Sequence, residues 1–448
     1  MIRDTRRNFL RTGAAASLIG LSPRILRGAD APSNRVRLAV AGCWEKGRGR
    51  FPMMHAAEMP GVEVAYVCDV DARARAWAAA QVAASAGKVP EALVDVRRLL
   101  ERKDFDGLVA EVPDHWHAPM AWMAMEAGKH VYVEKPCTFS ASEGEILVKV
   151  QKRTGRVFQM GNQRRSSVSY ARAISELRGG LLGELKYART WYRNFRKPIG
   201  RGQPAPVPEW LDWDLWQGPV PHMPYRTNIV HYNWHWYWRY GTGEISNNAV
   251  HYLDVARWAM GADLPCRVSA LGGRLCGDDD WEWPDTQMIS CEFPNRMLIT
   301  WEGLSCVPGE KPRDAYAGAM VYGMKGSLLF HPEDYCVLYD AKGKPVREWK
   351  SDDVPAGNNV KWKDKLDYRH VANFVDAIRA GDPSLARSPV VDSVRSTHVT
   401  ILANISQRTG ETIHADPKTG ALVGTTGREF WGREYEPGWE WRGGEGER

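Results

Sequence analysis

Two stretches of this chain carry residue types and spacings able to do chemistry. The first is a glycine loop. An apolar run ends at Gly42, the pattern Gly42-x-Trp44-x-x-Gly47 follows, and Asp69 closes the next apolar run. In a strand-to-helix turn the first glycine makes the sharp bend, and the helix N-terminus faces a pyrophosphate. A carboxylate at the end of the second strand can bond the hydroxyls of an adenosine ribose. It would repel a 2′-phosphate, so NAD is favoured over NADP, although Arg73 and Arg75 keep NADP open. Trp44 stands where the dinucleotide fingerprint has its second glycine. On the motif alone, a ligand-free turn is as good a description. The position of the loop and of Asp69 in the first two strands tips the balance toward a nucleotide.

The second stretch is residues 231–240, His-Tyr-Asn-Trp-His-Trp-Tyr-Trp-Arg-Tyr. It is too polar for a core strand. Strand alternation would put Trp234, Trp236 and Trp238 on one face, with Asn233, His235 and Tyr237 on the other. Tryptophan faces suit the C–H faces of a sugar ring, and His235 could hydrogen-bond its hydroxyls. The alternative is an aromatic-packed loop or an oligomer contact. The chain has 20 Trp, so some are simply core. His231, His235 and His251 lack a carboxylate or Cys at ligand spacing, so no metal site is expected. None of the 8 Cys forms a CxxC pair. Cys43 and Cys68 fall in or beside apolar strands, and the cysteines read as mostly reduced and buried.

The elements that must position these residues alternate. Strands are expected at 35–41, 62–68, 105–112, 130–133 and 156–160. Helices are expected from about 47 to 59, then at 71–86, 93–102, 117–127 and 140–154. Gly128 and Gly155 close the last two. Such alternation means a doubly wound parallel sheet. Beyond about 165 the pattern changes to a helix at 170–178 and strands at 185–192, 267–272, 288–293, 297–301 and 327–331. These predict a large, mostly antiparallel sheet, interrupted by Pro- and Trp-rich loops at 197–240. Helices at 368–380 and 389–408 follow.

A chain of 448 residues with 44% hydrophobic and 25% charged residues is ordinary for a globular protein of two or three units. Its formal charge is +6, but residues 1–30 hold six Arg against two Asp, which leaves +2 for the rest. That excludes the clustered positive charge of a nucleic-acid binder. Arg6-Arg7-Asn8-Phe9-Leu10, an Ala-rich apolar stretch at 13–21 and small residues near 28–31 read as a twin-arginine leader over 1–30. The apolar stretch is too short to span a bilayer. A basic N-terminal arm is the alternative. Export in the folded state, into a compartment poor in free nucleotide, implies tightly held NAD.

Several later segments resemble the Gfo/Idh/MocA family of oxidoreductases, which includes glucose–fructose oxidoreductase and inositol dehydrogenase. Pro113-x-x-x-His117 is similar to the family's turn beside the nicotinamide. Glu134-Lys135-Pro136 matches its EKP signature. Residues 159–165 and 211–219 look like family segments, and residues 243–258 resemble the second-domain helix that carries the catalytic His. The resemblance spans nearly the whole chain after the leader. It implies an NAD-binding Rossmann domain over 34–165 and a C-terminal α/β substrate and oligomerisation domain over 166–448 with an open sheet, assembled as a homodimer or homotetramer. It implies His251 as acid/base, Lys135 as electrostatic stabiliser or proton relay, and a cis Lys135–Pro136 bond. Asn247 stands where many relatives have Asp, so His251 should be less basic here. Besides Gly42, Trp44, Gly47 and Asp69, the cofactor set implied is Pro113, His117, Glu134 and Lys135. The substrate set is Gln163, His235, Trp236, Tyr237 and Asp254.

The expected reaction is hydride transfer between nicotinamide and a secondary alcohol of a sugar, polyol or glycoside. A positioned base takes the hydroxyl proton. Two rivals stay open. One is a redox-neutral glycosidase that oxidises, eliminates and re-reduces on a retained cofactor. The other is a non-catalytic sugar-binding protein, for which Trp44 and Asn247 are the only support.

Overall fold

The computed structural model describes residues 35–48, 50–307, 311–351 and 365–443. Residues 1–30, expected to be a leader, lie outside them. The N-terminal half alternates as the sequence predicts. Strand β1 (Val36–Ala41) leads to helix α1 (Arg50–Glu58), β2 (Val62–Cys68), α2 (Ala72–Ala86) and β3 (Glu91–Leu93). Then come α3 (Val96–Leu100), β4 (Gly107–Ala110), α4 (Asp114–Glu126), β5 (His130–Val133), α5 (Ala141–Thr154) and β6 (Phe158–Met160). All pairings are parallel, in the order β3-β2-β1-β4-β5-β6. The order reverses between β1 and β4, and their carboxyl ends open the crevice in which doubly wound sheets bind ligands.

Local chemistry explains the helix starts. Asp71 caps α2 by accepting from the Arg73 and Ala74 amides, and Asp95 caps α3 through the Arg97 amide. Ser140 and Glu143 form a capping box on α5. Three expected boundaries move. Residues 45–48 stay a turn, with the Gly47 amide on the Trp44 carbonyl at 2.9 Å, so α1 begins later than expected. Residues 91–93, of low strand propensity, pair along the β2 edge through their backbone alone. Helix α4 starts at Asp114, whose carboxylate favours a first helical turn, rather than at 117.

The C-terminal half holds α6 (Val168–Arg178), β7 (Leu185–Arg193), α7 (Trp213–Gln217) and α8 (Val250–Met260). Strands β8 (Arg267–Gly273), β9 (Thr286–Phe293), β10 (Met297–Leu304), β11 (Ala317–Gly323), β12 (Gly326–His331), β13 (Tyr335–Asp340) and β14 (Pro345–Lys350) follow. Helices α9 (Lys365–Ala380) and α10 (Val390–Thr409) and strand β15 (Ile413–His414) complete it. The strands form a nine-stranded sheet, antiparallel except where β7 runs parallel to β10. Its inner face packs on α6, α8 and α10 through Tyr170, Ile174, Leu253, Val399 and Leu402. Opposite side chains such as Leu271 (79% exposed) and Met288 (52%) leave the outer face open.

The chain then returns to the first half. Val371, Phe374 and Val375 of α9 are buried in the core between β1 and α1. Arg433 pairs with Glu143 at 2.6 Å, and Trp439 lies edge-on to Trp116 at 5.0 Å. The described cysteines are all free: Cys43, Cys68, Cys137, Cys291 and Cys336 are buried, whereas Cys266, Cys276 and Cys306 are partly exposed. No described helix is long and apolar enough to cross a membrane.

Candidate active site

A cavity of about 510 Å³ opens at the carboxyl ends of β1 and β4 and runs to α8 of the second half. That size falls in the range of cofactor and small-molecule sites. Its wall includes Gly42, Trp44, Gly47, Asp69, Pro113, His117, Glu134 and Lys135, every cofactor position expected from the sequence. It also includes Asn247 and His251, and of the expected substrate residues Gln163 and His235.

One end is the glycine loop. Gly42 has φ +84°, and a Cβ there would sit 2.1 Å from the Glu111 carbonyl oxygen. Only glycine permits this crossing of β1 and β4. Asp69 accepts the Cys43 amide at 2.6 Å and the Asp71 amide at 2.9 Å, so it fixes the loop. Burial nevertheless pushes its carboxyl above the usual range. The Trp44 ring turns out of the loop and stacks on His231, 5.1 Å between centroids, and His231 bonds Asp71 at 2.7 Å. A bulky residue at the second glycine position thus leaves the loop open and ties it to the second half. Arg73 is held by Asp71 and lies 3.4 Å from the Trp210 ring centre, and Arg75 donates to the Asp69 carbonyl.

The other end holds the titratable groups. The Lys135 Nζ donates to both oxygens of Asn247, the backbone carbonyl at 2.8 Å and Oδ1 at 2.9 Å. Burial lowers the Lys135 pKa, against the pull of Glu134. The Lys135–Pro136 bond is cis. Asn247 belongs to a π-helical turn, Ile245–Ala249, that runs directly into α8. Such turns often mark functional sites. His251 follows four residues later, its Nδ1 3.1 Å from Asn162 Oδ1, while its Nε2 makes no hydrogen bond to the described residues. Burial, followed by the charges of Lys135, Arg164 and Arg48, pulls His251 well below the ordinary imidazole value. It is neutral at pH 7 and able to accept a proton.

Other wall residues were not flagged by the sequence. Glu111 directly follows β4 and faces Glu134. Burial pushes both carboxyls up, the Glu134 charge raises Glu111 further, and Glu111 Oε1 has no hydrogen-bond partner among the described residues. Asp114 accepts the Thr242 hydroxyl at 2.5 Å and is raised to about 6 by burial. His117, which the sequence did single out, is drawn to about 4 by burial, although both ring nitrogens lie against carbonyl oxygens, Pro136 at 2.6 Å and Val112 at 2.8 Å. Arg196 pairs with Glu244 at 2.6 Å. No local sequence pattern marks Glu111 or Arg196, because only the crossing of strands and loops brings them to the cavity.

The aromatic stretch is a correction. Residues Asn233–Trp236 form a 3-10 turn, so the expected strand alternation does not exist. Trp234 stacks on His235 at 3.6 Å, and both line the cavity. Trp236 is buried against Trp281 at 3.9 Å, and the Tyr237 hydroxyl donates to Asn228 Oδ1 at 2.7 Å. Neither reaches the cavity. Asp254 does not reach it either: buried three residues further along α8, it forms a two-pronged pair with Arg165 at 2.6 and 2.7 Å. The described residues hold no group of three His, Cys, Asp or Glu able to bind a metal.

The loop end fits NAD. Gly42 allows close backbone approach, Lys46 and Arg48 offer positive charge for a pyrophosphate, and Asp69 stands where an adenosine ribose would lie. The description "Oxidoreductase family, NAD-binding Rossmann fold" matches residues 36–162, and "Oxidoreductase family, C-terminal alpha/beta domain" matches residues 191–271. A glycosyl hydrolase family 109 protein 1 from Shewanella sp. strain ANA-3 is 25% identical over 381 residues, 79% of this chain and 75% of that one. An alpha-N-acetylgalactosaminidase from Shewanella oneidensis is 23% identical over 355 residues, 74% and 70% of the two chains. Among solved structures, a levoglucosan dehydrogenase in complex with NADH and levoglucosan superposes with a TM-score of 0.64 at 17% identity, over 85% of this chain and 99% of that one. With both of its domain descriptions matched in order, and the glycine loop, EKP turn and His-bearing helix gathered on one cavity, the chain belongs to the Gfo/Idh/MocA oxidoreductase family.

Proposed function

We propose that the protein transfers a hydride between NAD and a secondary alcohol of a sugar, polyol or glycoside. The observation that carries this is the meeting of Lys135 and the His251 helix on the wall of one cavity whose far end is the glycine loop. Bound NAD supplies the hydride acceptor. His251, neutral and with Nε2 free, takes the hydroxyl proton. Lys135, anchored on Asn247, steadies the charge that develops on the substrate oxygen. Trp234 and His235 form the wall against which the ring lies. The carboxylate of Asp69 favours NAD over NADP.

The test is single-turnover absorbance of reduced nicotinamide, with concentrated protein, NAD and a pool of sugars, uronic acids, polyols and glycosides. A stoichiometric rise that disappears in Lys135→Ala and His251→Ala is expected. A flat trace from nucleotide-loaded protein rules out simple oxidation of that pool. The similarity to glycosyl hydrolases favours a second outcome in that case, transient oxidation, loss of the aglycone and re-reduction. Release of an aryl aglycone without net nucleotide reduction identifies it.

Residues 1–30 belong to the same proposal as a twin-arginine leader that exports the folded protein with NAD aboard. Protein recovered from the periplasm should then release nucleotide on denaturation. The domain division is 34–165 for the nucleotide and 166–448 for substrate and assembly. The open outer face of the nine-stranded sheet would pair subunits into a dimer or tetramer.

A further inference from the structure

Arg164 follows β6 in a short 3-10 turn and lies on the cavity wall. Its two hydrogen bonds both leave from Nη1, to the Tyr170 hydroxyl at 3.4 Å and the Pro332 carbonyl at 3.2 Å. Its Nε is sealed from solvent without a partner among the described residues, and no described carboxylate pairs with the guanidinium. The other arginines of this wall differ: Arg48 pairs with Asp367 at 2.6 Å and Arg196 with Glu244 at 2.6 Å. Adjacent Arg165 is likewise paired, with Asp254. The lone cation is therefore a property of position 164 and not of the turn.

A second observation points to the same place. The Tyr252 side chain is 2% exposed, lines the cavity and lies under Arg164, 4.6 Å from its guanidinium carbon to the ring centre. Its hydroxyl has no hydrogen-bond partner among the described residues. Lys135, near His251, has only the neutral oxygens of Asn247 as hydrogen-bond acceptors. Two cations and an orphan phenol thus surround His251 with no described acid in ion-pair contact. A recessed cation without an anion is costly unless a ligand brings one.

We propose that the substrate is a sugar acid, a uronate or aldonate whose carboxylate is held by Arg164 and Tyr252 while its reacting hydroxyl lies toward Lys135 and His251. One guanidinium edge and one phenol offer a few roughly coplanar donors, which suit a planar carboxylate. A phosphate would need donors on more sides. The inference rests on the sugar oxidoreductase reading above and narrows it.

The test is calorimetric titration of the NADH-loaded protein with matched pairs: D-glucuronate and D-glucose, D-galacturonate and D-galactose, D-gluconate and D-glucitol. At least one acid should bind 10-fold or more tightly than its neutral partner, a gap of about one charge-assisted hydrogen bond. Arg164→Met should bring that ratio to about one. Tyr252→Phe, a smaller change that keeps the ring, should weaken the acid about 10- to 100-fold, and NADH affinity reports that both variants are folded. Absence of acid binding, equal or tighter binding of every neutral partner, or an acid preference that survives Arg164→Met overturns the proposal. Reduction of NAD by neutral sugars alone would overturn it and leave the oxidoreductase standing. Arg164-dependent acid binding without any nucleotide chemistry would do the reverse.

Discussion

Replacing Asn247 by Asp changes one atom of the side chain and puts a carboxylate 2.9 Å from the Lys135 ammonium. At that distance and an effective dielectric of about 20, the attraction is about 6 kcal/mol. Desolvation of the new carboxylate takes back several kcal/mol. The remainder of about 1.4–4 kcal/mol corresponds to a rise of one to three units in the Lys135 pKa. In the native protein burial holds that pKa below the ordinary lysine value. Lys135 therefore loses its charge at lower pH than a free lysine, and Asn247→Asp should restore the charge toward higher pH. Competitive acetylation with trace acetic anhydride reads this directly, because only the neutral amine reacts. Peptide mass spectrometry across pH gives the Lys135 midpoint against a free lysine amide in the same tube. A native midpoint at or above the free amine, or one that does not rise in Asn247→Asp, refutes the electrostatics described here. The same substitution sorts the roles of Lys135. If the charged amine supports turnover, the alkaline limb of the rate profile moves up; if the neutral amine does, the acid limb moves up.

Other outcomes follow from the same contacts. Gly42→Ala forces a Cβ against the Glu111 carbonyl at positive φ, and should cost about 1–3 kcal/mol or more of stability, read by urea unfolding, and abolish NADH binding. Asp254→Asn leaves the buried Arg165 with only the longer pair to the more exposed Asp392, at 3.7 Å, and should cost up to about 3–5 kcal/mol while leaving the KM of any substrate within a factor of two or so. A change confined to KM would instead restore the substrate role read from the sequence. Burial pushes the Asp254 carboxyl up, but the Arg165 pair outweighs it and holds the group below its ordinary value, so its contribution is present above the unfolded carboxyl pKa and lost as pH falls through the folded one. His115 and His370, drawn by burial to about 3 and about 4, bind more protons unfolded than folded between those values and about 6.5. Stability measured by urea should therefore fall as pH drops from about 6.5 toward 4, and a flat profile there contradicts neutral buried rings.

Strand β2 stands over the residues expected, and the Gly155 and Gly128 boundaries were readable, because each is decided within a few residues by apolar runs and caps. The glycine loop and the EKP turn were also local, and every cofactor position they suggested reached the cavity. The aromatic stretch was misread because alternation along 231–240 presupposed a strand. Packing of Trp236 on Trp281 and of Trp234 on His235 folds it as a tight turn instead. The resemblance implied a substrate role for Asp254, but Arg165 engages both of its carboxylate oxygens, and only the tertiary position of Arg165 shows this.

The sequence by itself determined the alternating half, the loop that takes a nucleotide, and the identity of the Lys and His, since these depend on neighbours in the chain. The tertiary structure decided which polar groups share a cavity and which find partners. Lys135 meets Asn247 across 112 positions, Glu111 faces Glu134 across strands, and Arg165 is neutralised by Asp254 while Arg164 is not. Charge compensation acts through space over a few ångströms in a desolvated site, so no spacing along the chain specifies it.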